Sequence, residues 1–259
     1  MERAAWDYLT TAALADKLAP PRRARSFETA APVRRVEAPG RPAELRAAAR
    51  GMRTRDATAS ALRSAERRAQ LLHTFLHHEL QAAELMCWAV LAFPDTETSF
   101  RRGLMAICRD EVRHMGLYRE HLRRLGHDFG DFPVRDWFWE RVPTCLTPAA
   151  FVATMGIGFE GGNLDHAARF AIRLRAAGDE RAADLQAFIG AEEEGHVRFA
   201  MRWFRRWTGN DDFGSWTNAL PAPLSPMVMR GLPIDRPARR RAGLSASFVE
   251  ELARWQPSR

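Results

Sequence analysis

The segment DEVRH occupies residues 110–114, and a related segment, EEEGH, occupies residues 192–196. In each, a glutamate is followed three residues later by a histidine, giving the pairs Glu111–His114 and Glu193–His196. Residues three apart lie on one face of an α-helix, so each segment directs a carboxylate and an imidazole the same way. The spacing predicts two copies of a metal-ligand pair on two helices.

A further glutamate lies upstream of each pair at a matching distance. Glu79 precedes Glu111 by 32 residues, and Glu160 precedes Glu193 by 33. The two halves are therefore offset by 81 residues (79 to 160) and by 82 (111 to 193). This regularity indicates a pseudo-repeat of two helical hairpins.

The predicted turns agree with this pairing. Residues at the same height in an antiparallel hairpin are equidistant from its turn, and the midpoint of 79 and 111 is Asp95, directly after Pro94. The midpoint of 160 and 193 falls between 176 and 177, beside Gly178. Proline and glycine mark these turns independently of the glutamates, so each hairpin is predicted to bring its two glutamates face to face.

The periodicity of apolar residues predicts four long helices, at about 59–93, 97–125, 147–178 and 179–208. Thr147 and Pro148 provide a helix start, and Gly126 and Gly209 provide helix ends. A long connection rich in glycine, proline and aromatic residues separates the second and third helices. The predicted fold is all-α: a four-helix bundle of two antiparallel hairpins joined by a long crossover, the topology of ferritin-like bundles.

Extensions flank the predicted bundle. We predict an N-terminal arm over residues 1–56, the bundle over 57–209, and a Pro-rich C-terminal extension over 210–259. Short helices are predicted at 3–18, before Pro20 and Pro21, and at 245–255.

The predicted ligand set favours a hard cation. Four carboxylates buried together require a counter-charge, and carboxylate oxygens with one imidazole per ion suit iron or manganese. One glutamate from each of two helices plus Glu-x-x-His from each of the other two is the known pattern of carboxylate-bridged di-iron sites. The sequence predicts two iron ions, and Mn/Fe or Mn/Mn centres stay open because the ligand types overlap.

The sequence resembles the ferritin-like superfamily and, within it, the DUF455 group of bacterial proteins. The resembling segments are HELQA at 78–82, DEVRH at 110–114, GDFP at 130–133, EGGNLD at 160–165 and EEGHV at 193–197. The resemblance implies metal ligands at Glu79, Glu111, His114, Glu160, Glu193 and His196. It also implies that Glu111 and Glu193 bridge the two ions.

The form DEVRH is also similar to a segment of di-iron hydroxylases, in which the residue before the glutamate orients a ligand histidine. Asp110 fits that role. In the second copy Glu192 replaces the aspartate and Gly195 replaces the arginine, so the same role for Glu192 is less well supported. Tyr118, four residues after His114, lies on the ligand face, where it serves either the site or the core.

Several residues compete for a place in the site. Glu84 lies about 140° around the helix from Glu79 and pairs poorly with Glu111 across the turn, which favours Glu79. Glu194 is expected to be solvated or to support the adjacent ligand Glu193. Other competitors are expected to lie on a polar face or in the core: Asp165, Cys108, His73, His77, His78 and His166. The glycines at 156, 158, 161 and 162 predict close helix packing, a π-bulge, or room for a substrate.

The composition argues against several other classes of protein. The formal net charge is +7, and Lys17 is the only lysine among 39 basic residues. The arginines are interleaved with acidic residues, so we expect solvated helix faces and not a nucleic-acid surface. Three cysteines without a CxxC pair indicate a reducing compartment. No signal peptide or membrane span is predicted, so the expected location is cytoplasmic, with no membrane partner.

These features rank three functions. The first is a di-iron oxygenase or oxidase that uses O2 to oxidise a small organic substrate, with electrons supplied by a donor protein. The second is a ferroxidase or iron-binding protein. Ferritins have compact chains without Pro-rich arms, so the arms of this chain argue against the second function. The third is a nucleic-acid- or protein-binding module on the same fold. The sequence does not determine the oligomeric state, and a homodimer stays open.

Overall fold

The computed structural model describes residues 1–23, 26–27, 31–48 and 57–257. Over these ranges the regular structure is helical, apart from an isolated bridge between Ala47 and Val134. The predicted all-α class is confirmed. None of the described helices is long and apolar enough to cross a membrane. The predicted division at 56 and 209 stays a prediction, and residue 56 lies outside the described ranges.

The chain divides into two compact units, Met1–Pro143 and Thr144–Arg259. The helices of the first unit are α1 (Glu2–Thr10), α2 (Leu14–Lys17), a 3-10 turn (Ala61–Arg63), α3 (Ala65–Ala92) and α4 (Thr98–Arg124). A 3-10 turn, Val142–Thr144, lies where this unit ends. α3 and α4 pack on each other as a hairpin around residues 93–97. Ser64 caps α3 by accepting a hydrogen bond from the Arg67 amide.

The N-terminal segment forms two short helices, where the sequence predicted one over 3–18. Lys17 explains the break, because its Nζ donates to the carbonyl oxygens of Tyr8 and Leu9 at 2.9 and 3.1 Å. The Tyr8 hydroxyl in turn donates to the Lys17 carbonyl at 2.9 Å. A continuous helix would place residue 17 about 13 Å beyond residue 8 along its axis. The chain must therefore turn back after Thr10.

His73 of α3 holds the start of the connection that follows α4. Its Nε2 accepts a hydrogen bond from the Gly130 amide at 2.9 Å, and its side chain is buried against Phe129 and Phe132. Burial, and to a smaller extent the neighbouring His77, lowers the pKa of His73 to about 4. A protonated ring could no longer accept the Gly130 hydrogen bond.

This geometry predicts a loss of stability in acid. The unfolded chain protonates His73 at a pKa near 6.5, so the stabilisation is present above pH 6.5 and is lost as the pH falls toward 4. One pKa unit corresponds to about 1.4 kcal/mol, so the contribution of His73 is at most about 3 kcal/mol. We expect urea unfolding of His73→Gln, which keeps an acceptor but does not titrate, to depend less on pH over this range. Equal slopes for both proteins would contradict the assignment.

The second unit contains a helical hairpin and the C-terminal extension. Its helices are α5 (Pro148–Phe151), a π-helix (Val152–Glu160), α6 (Gly161–Ala176), α7 (Glu180–Thr208), α8 (Phe213–Ala219), a 3-10 turn (Pro226–Met229), α9 (Arg236–Arg241) and α10 (Ala246–Arg254). The first three are continuous, and α6 pairs with α7 around residues 177–179. Thr147 and Asp179 cap α5 and α7, and Gly209, with φ +75°, ends α7.

Of the four clustered glycines in the third predicted helix, Gly156 and Gly158 lie in the π-helix, and the other two follow it at the start of α6. All nine residues from Val152 to Glu160 are buried. Gly156 lies against α7 so closely that a Cβ atom there would overlap the methyl group of Ala200. The predictions of close packing and of π-helical backbone are both confirmed. π-helical backbone is rare and occurs frequently at functional sites.

Gly156→Ala should therefore destabilise the protein. Ala200 has no rotamer with which to move away, so the added methyl group must push the π-helix from α7, at a cost of about 1–3 kcal/mol. Gly195→Ala is the matched control, because a Cβ atom at Gly195 meets nothing within 4 Å and alanine favours helix. Urea unfolding of the metal-free proteins would measure both. An unchanged midpoint for Gly156→Ala would contradict the packing argument.

Candidate metal centre

Three of the predicted ligands meet inside the first unit. Glu79 projects from α3, and Glu111 and His114 project from α4. His114 Nδ1 lies 3.5 Å from Glu79 Oε2 and 3.4 Å from Glu111 Oε2. One donor atom from each of the three side chains lies within 4.8 Å of a donor atom of each of the other two. We call these three residues the first half-site.

The first half-site is almost closed to solvent. Glu111 and His114 are 0% exposed and Glu79 is 5% exposed. Burial raises the pKa of Glu79 well above its ordinary value, the contact with His114 opposes this rise, and the Glu111 carboxylate adds to it. Two carboxylates held so close repel each other, and a cation between them removes that cost.

The second half-site predicted from the sequence consists of Glu160, Glu193 and His196, all of which lie in the second unit. Glu193 and His196 lie on one face of α7, with His196 Nδ1 2.7 Å from Glu193 Oε2. Glu160 is the last residue of the π-helix. All three are buried, at 6%, 0% and 6% exposure. The predicted pairing of glutamate and histidine three residues apart is thus present in both units.

The model of a known family matches residues 4–250 of this chain, which is nearly its whole length. That family is described as "Protein of unknown function (DUF455)". The chain belongs to the DUF455 family.

A relative of this DUF455 chain is an "Uncharacterized protein" of Haemophilus influenzae, 26% identical over 144 residues. The matching region covers 52% of this chain and 50% of the relative. The chain therefore spans about half the length of the curated relative it matches. No solved structure matches it.

Glu84, the competing first ligand, has a different role in the DUF455 chain. Its Oε1 pairs with Lys17 Nζ at 2.7 Å and with the Arg41 guanidinium, and its Oε2 accepts from Trp139 Nε1 at 2.9 Å. Glu84 and Lys17 are both fully buried. This carboxylate is already neutralised by basic groups, which supports the choice of Glu79.

The second unit repeats this arrangement. Asp165 lies five residues after Glu160, as Glu84 lies five residues after Glu79. Its carboxylate forms a two-bond pair with Arg239, at 3.0 Å to Nε and 2.7 Å to Nη2. Glu194, beside Glu193, pairs instead with Arg241 at 2.7 Å on the surface. These acidic side chains are paired with basic groups of the protein, which argues against a role as metal ligands.

The residues predicted to support the ligands occupy varied positions. Asp110 pairs with Arg113 at 3.7 Å and its side chain is 46% exposed. Glu192 is partly exposed, while Tyr118 is buried 5.8 Å from the ring of Phe75. The roles of these three toward the site stay predictions. Cys108 lies 3.6 Å from Cys87, thiol to thiol, inside the α3–α4 hairpin.

The remaining histidines bind protein groups. His77 Nδ1 accepts from Gln81 at 3.1 Å, and His166 Nδ1 accepts from Arg169 at 2.8 Å. His78 lies against Phe138. Sequence reasoning missed the basic partners of Glu84 and Asp165. The one available signal was that Lys17 is the only lysine of the chain.

Proposed function

We propose that the DUF455 chain is a ferritin-like non-haem di-iron oxidase or oxygenase. The six residues Glu79, Glu111, His114, Glu160, Glu193 and His196 would hold two iron ions, with Glu111 and Glu193 as the bridging carboxylates. The observation that carries the proposal is that two glutamates and a histidine, all buried, recur at nearly the same spacing in each of two helical hairpins.

The residues fit such a centre in kind and in number. Each half-site offers two carboxylates and one imidazole, the donors that iron and manganese accept. The contacts of His114 with Glu79 and Glu111 place three donors where one cation can reach them. In the second half-site, the proton shared by His196 and Glu193 would be released on metal binding.

The protein's own contribution is to hold these donors in a dry setting. When bound, the two ferrous ions would supply the electrons that reduce O2. The carboxylates lie on buried faces of α3, α4 and α7, and the π-helix before Glu160 carries glycines and apolar side chains. Exclusion of water protects a reactive oxygen species from quenching and strengthens electrostatic interactions within the site.

An organic substrate is favoured over iron itself as the substrate. The predicted Pro-rich extensions at 1–56 and 210–259 distinguish this chain from a compact ferritin, which favours a function beyond iron storage. Electrons for repeated turnover would come from a donor protein. A basic nucleic-acid surface receives little support, because surface arginines pair with acidic residues, among them Arg175 with Glu180 and Arg236 with Glu250.

The experiment is O2 consumption by the full chain loaded anaerobically with ferrous iron. We expect about two irons per chain by elemental analysis and O2 uptake that continues only while a chemical reductant is supplied. Sustained oxidation of excess ferrous iron, with ferric iron accumulating well beyond two per chain, would identify a ferroxidase. Manganese in place of iron would be apparent in the same elemental analysis. A chain that retains no metal would refute the proposal.

A further inference from the structure

The C-terminal extension contacts the π-helix at two places and α6, just beyond it, at a third. Trp216 of α8 donates its indole Nε1–H to the Ala153 carbonyl at 2.9 Å, near the start of the π-helix. Met229 lies against the glycines, where a Cβ atom at Gly158 would be 2.5 Å from its Sδ. Arg239 of α9 binds Asp165, five residues beyond the end of the π-helix. In the sequence, Glu160 therefore lies between the contacts at Gly158 and Asp165.

Both carboxylate oxygens of Asp165 accept hydrogen bonds from the C-terminal extension. Besides Arg239, its carboxylate accepts from the amides of Gly231 and Asp235, each at 2.8 Å. Arg239 is 1% exposed, and it also donates to the Met229 carbonyl at 3.1 Å. Its Nη1 lies 3.2 Å from the place of a Cβ atom at Gly161. One arginine thus joins Asp165, Met229 and the residue that follows Glu160.

We propose that the C-terminal extension fixes the π-helical register of residues 152–160 and thereby positions Glu160, with Arg239 and Trp216 as positioning residues. This inference rests on the proposed function for the role of Glu160 as a ligand. The claim about the backbone does not depend on any metal.

The physical reason lies in the hydrogen-bond pattern. A π-helix bonds residue i to i+5, whereas an α-helix bonds i to i+4, and the π form is rare, so its surroundings must favour it over the α form. A shift of one residue would rotate Glu160 relative to α6 by about 100°, the turn of one α-helical residue. The indole bond to Ala153 and the arginine bonds at Asp165 hold the two sides of this segment in place.

The backbone claim is tested by hydrogen exchange of the metal-free full chain. In Arg239→Gln and in Trp216→Phe, we expect residues 152–165 to exchange at least about tenfold faster, with residues 65–92 unchanged. Trp216→Phe keeps an aromatic ring and removes the N–H donor. It therefore tests the backbone claim even if Arg239→Gln does not fold. Arg236→Gln is the matched control, because Arg236 lies on the same helix and pairs with Glu250 at the surface.

The link to Glu160 is tested by iron content. We expect Arg239→Gln to lose about half of the iron that wild type binds, and Arg239→Lys, which keeps the charge but not the two-bond geometry, to restore part of it. Exchange at 152–165 that does not differ from wild type would overturn the proposal, as would faster exchange with full iron content. If wild type itself binds no iron, the proposed function fails, and the exchange result alone decides whether the extension sets the register.

Discussion

Glu111→Ala and Glu193→Ala should each lose most of the bound iron. Both carboxylates are 0% exposed, and each belongs to a different half-site of the proposed bridged centre. Loss of a residue that merely supports a ligand lowers metal affinity about 10–100-fold, so loss of a bridging ligand should cost at least that much. Elemental analysis after equilibrium dialysis against ferrous iron would measure the change.

Glu194→Ala is the control for this experiment. It removes a neighbouring glutamate of α7 whose carboxylate pairs with Arg241 at the surface, so iron content should stay at the wild-type level. Iron content that is unaffected in both Glu111→Ala and Glu193→Ala would refute the di-iron assignment.

A second readout separates metal binding from folding. The raised pKa of Glu79 reflects burial beside Glu111, so the metal-free protein tolerates a crowded pair of carboxylates. Removing one charge should not destabilise it. We therefore expect metal-free Glu111→Gln to unfold at a urea concentration at least as high as metal-free wild type does, while binding less iron. Such an exchange of stability for function is common at active sites.

The features that could be predicted from the sequence depend on local signals. Pro94, Gly126, Thr147 and Gly209 act on the backbone within one turn of where they stand, and the observed helix ends fall close to them. The contact between glutamate and histidine in each half-site follows from helical geometry alone. The preference for Glu79 over Glu84 also followed from geometry, because five residues rotate a helix by about 140°.

The features that could not be predicted depend on distant partners. Glycines indicated a π-bulge, but Trp216 and Met229, which contact the π-helix, come from far along the chain. Nothing near Lys17 shows that its amine reaches Glu84, so the break between α1 and α2 was missed. Such contacts form only in the folded chain, and a pattern of neighbouring residues carries no record of them.

Glu84→Gln should cause the largest loss of stability of any single change considered. Glu84 faces Lys17 and Arg41 and accepts the Trp139 indole hydrogen bond, all in the interior of the first unit. Burial lowers the pKa of Lys17, and the Glu84 carboxylate opposes that shift. Without the carboxylate the ammonium is a buried charge with no counter-ion, and breaking such pairs costs about 3–5 kcal/mol. Urea unfolding would measure this loss.

Two further variants make the result specific. Lys17→Met leaves Glu84 paired with Arg41, so its loss should be smaller than that of Glu84→Gln. Glu120→Gln removes an exposed partner of Arg124 and should change stability by no more than about 0.5 kcal/mol. The folded fraction of Glu84→Gln should still bind iron as wild type does, because its carboxylate holds the N-terminal segment and not the metal. Loss of iron without loss of stability would instead place Glu84 among the ligands.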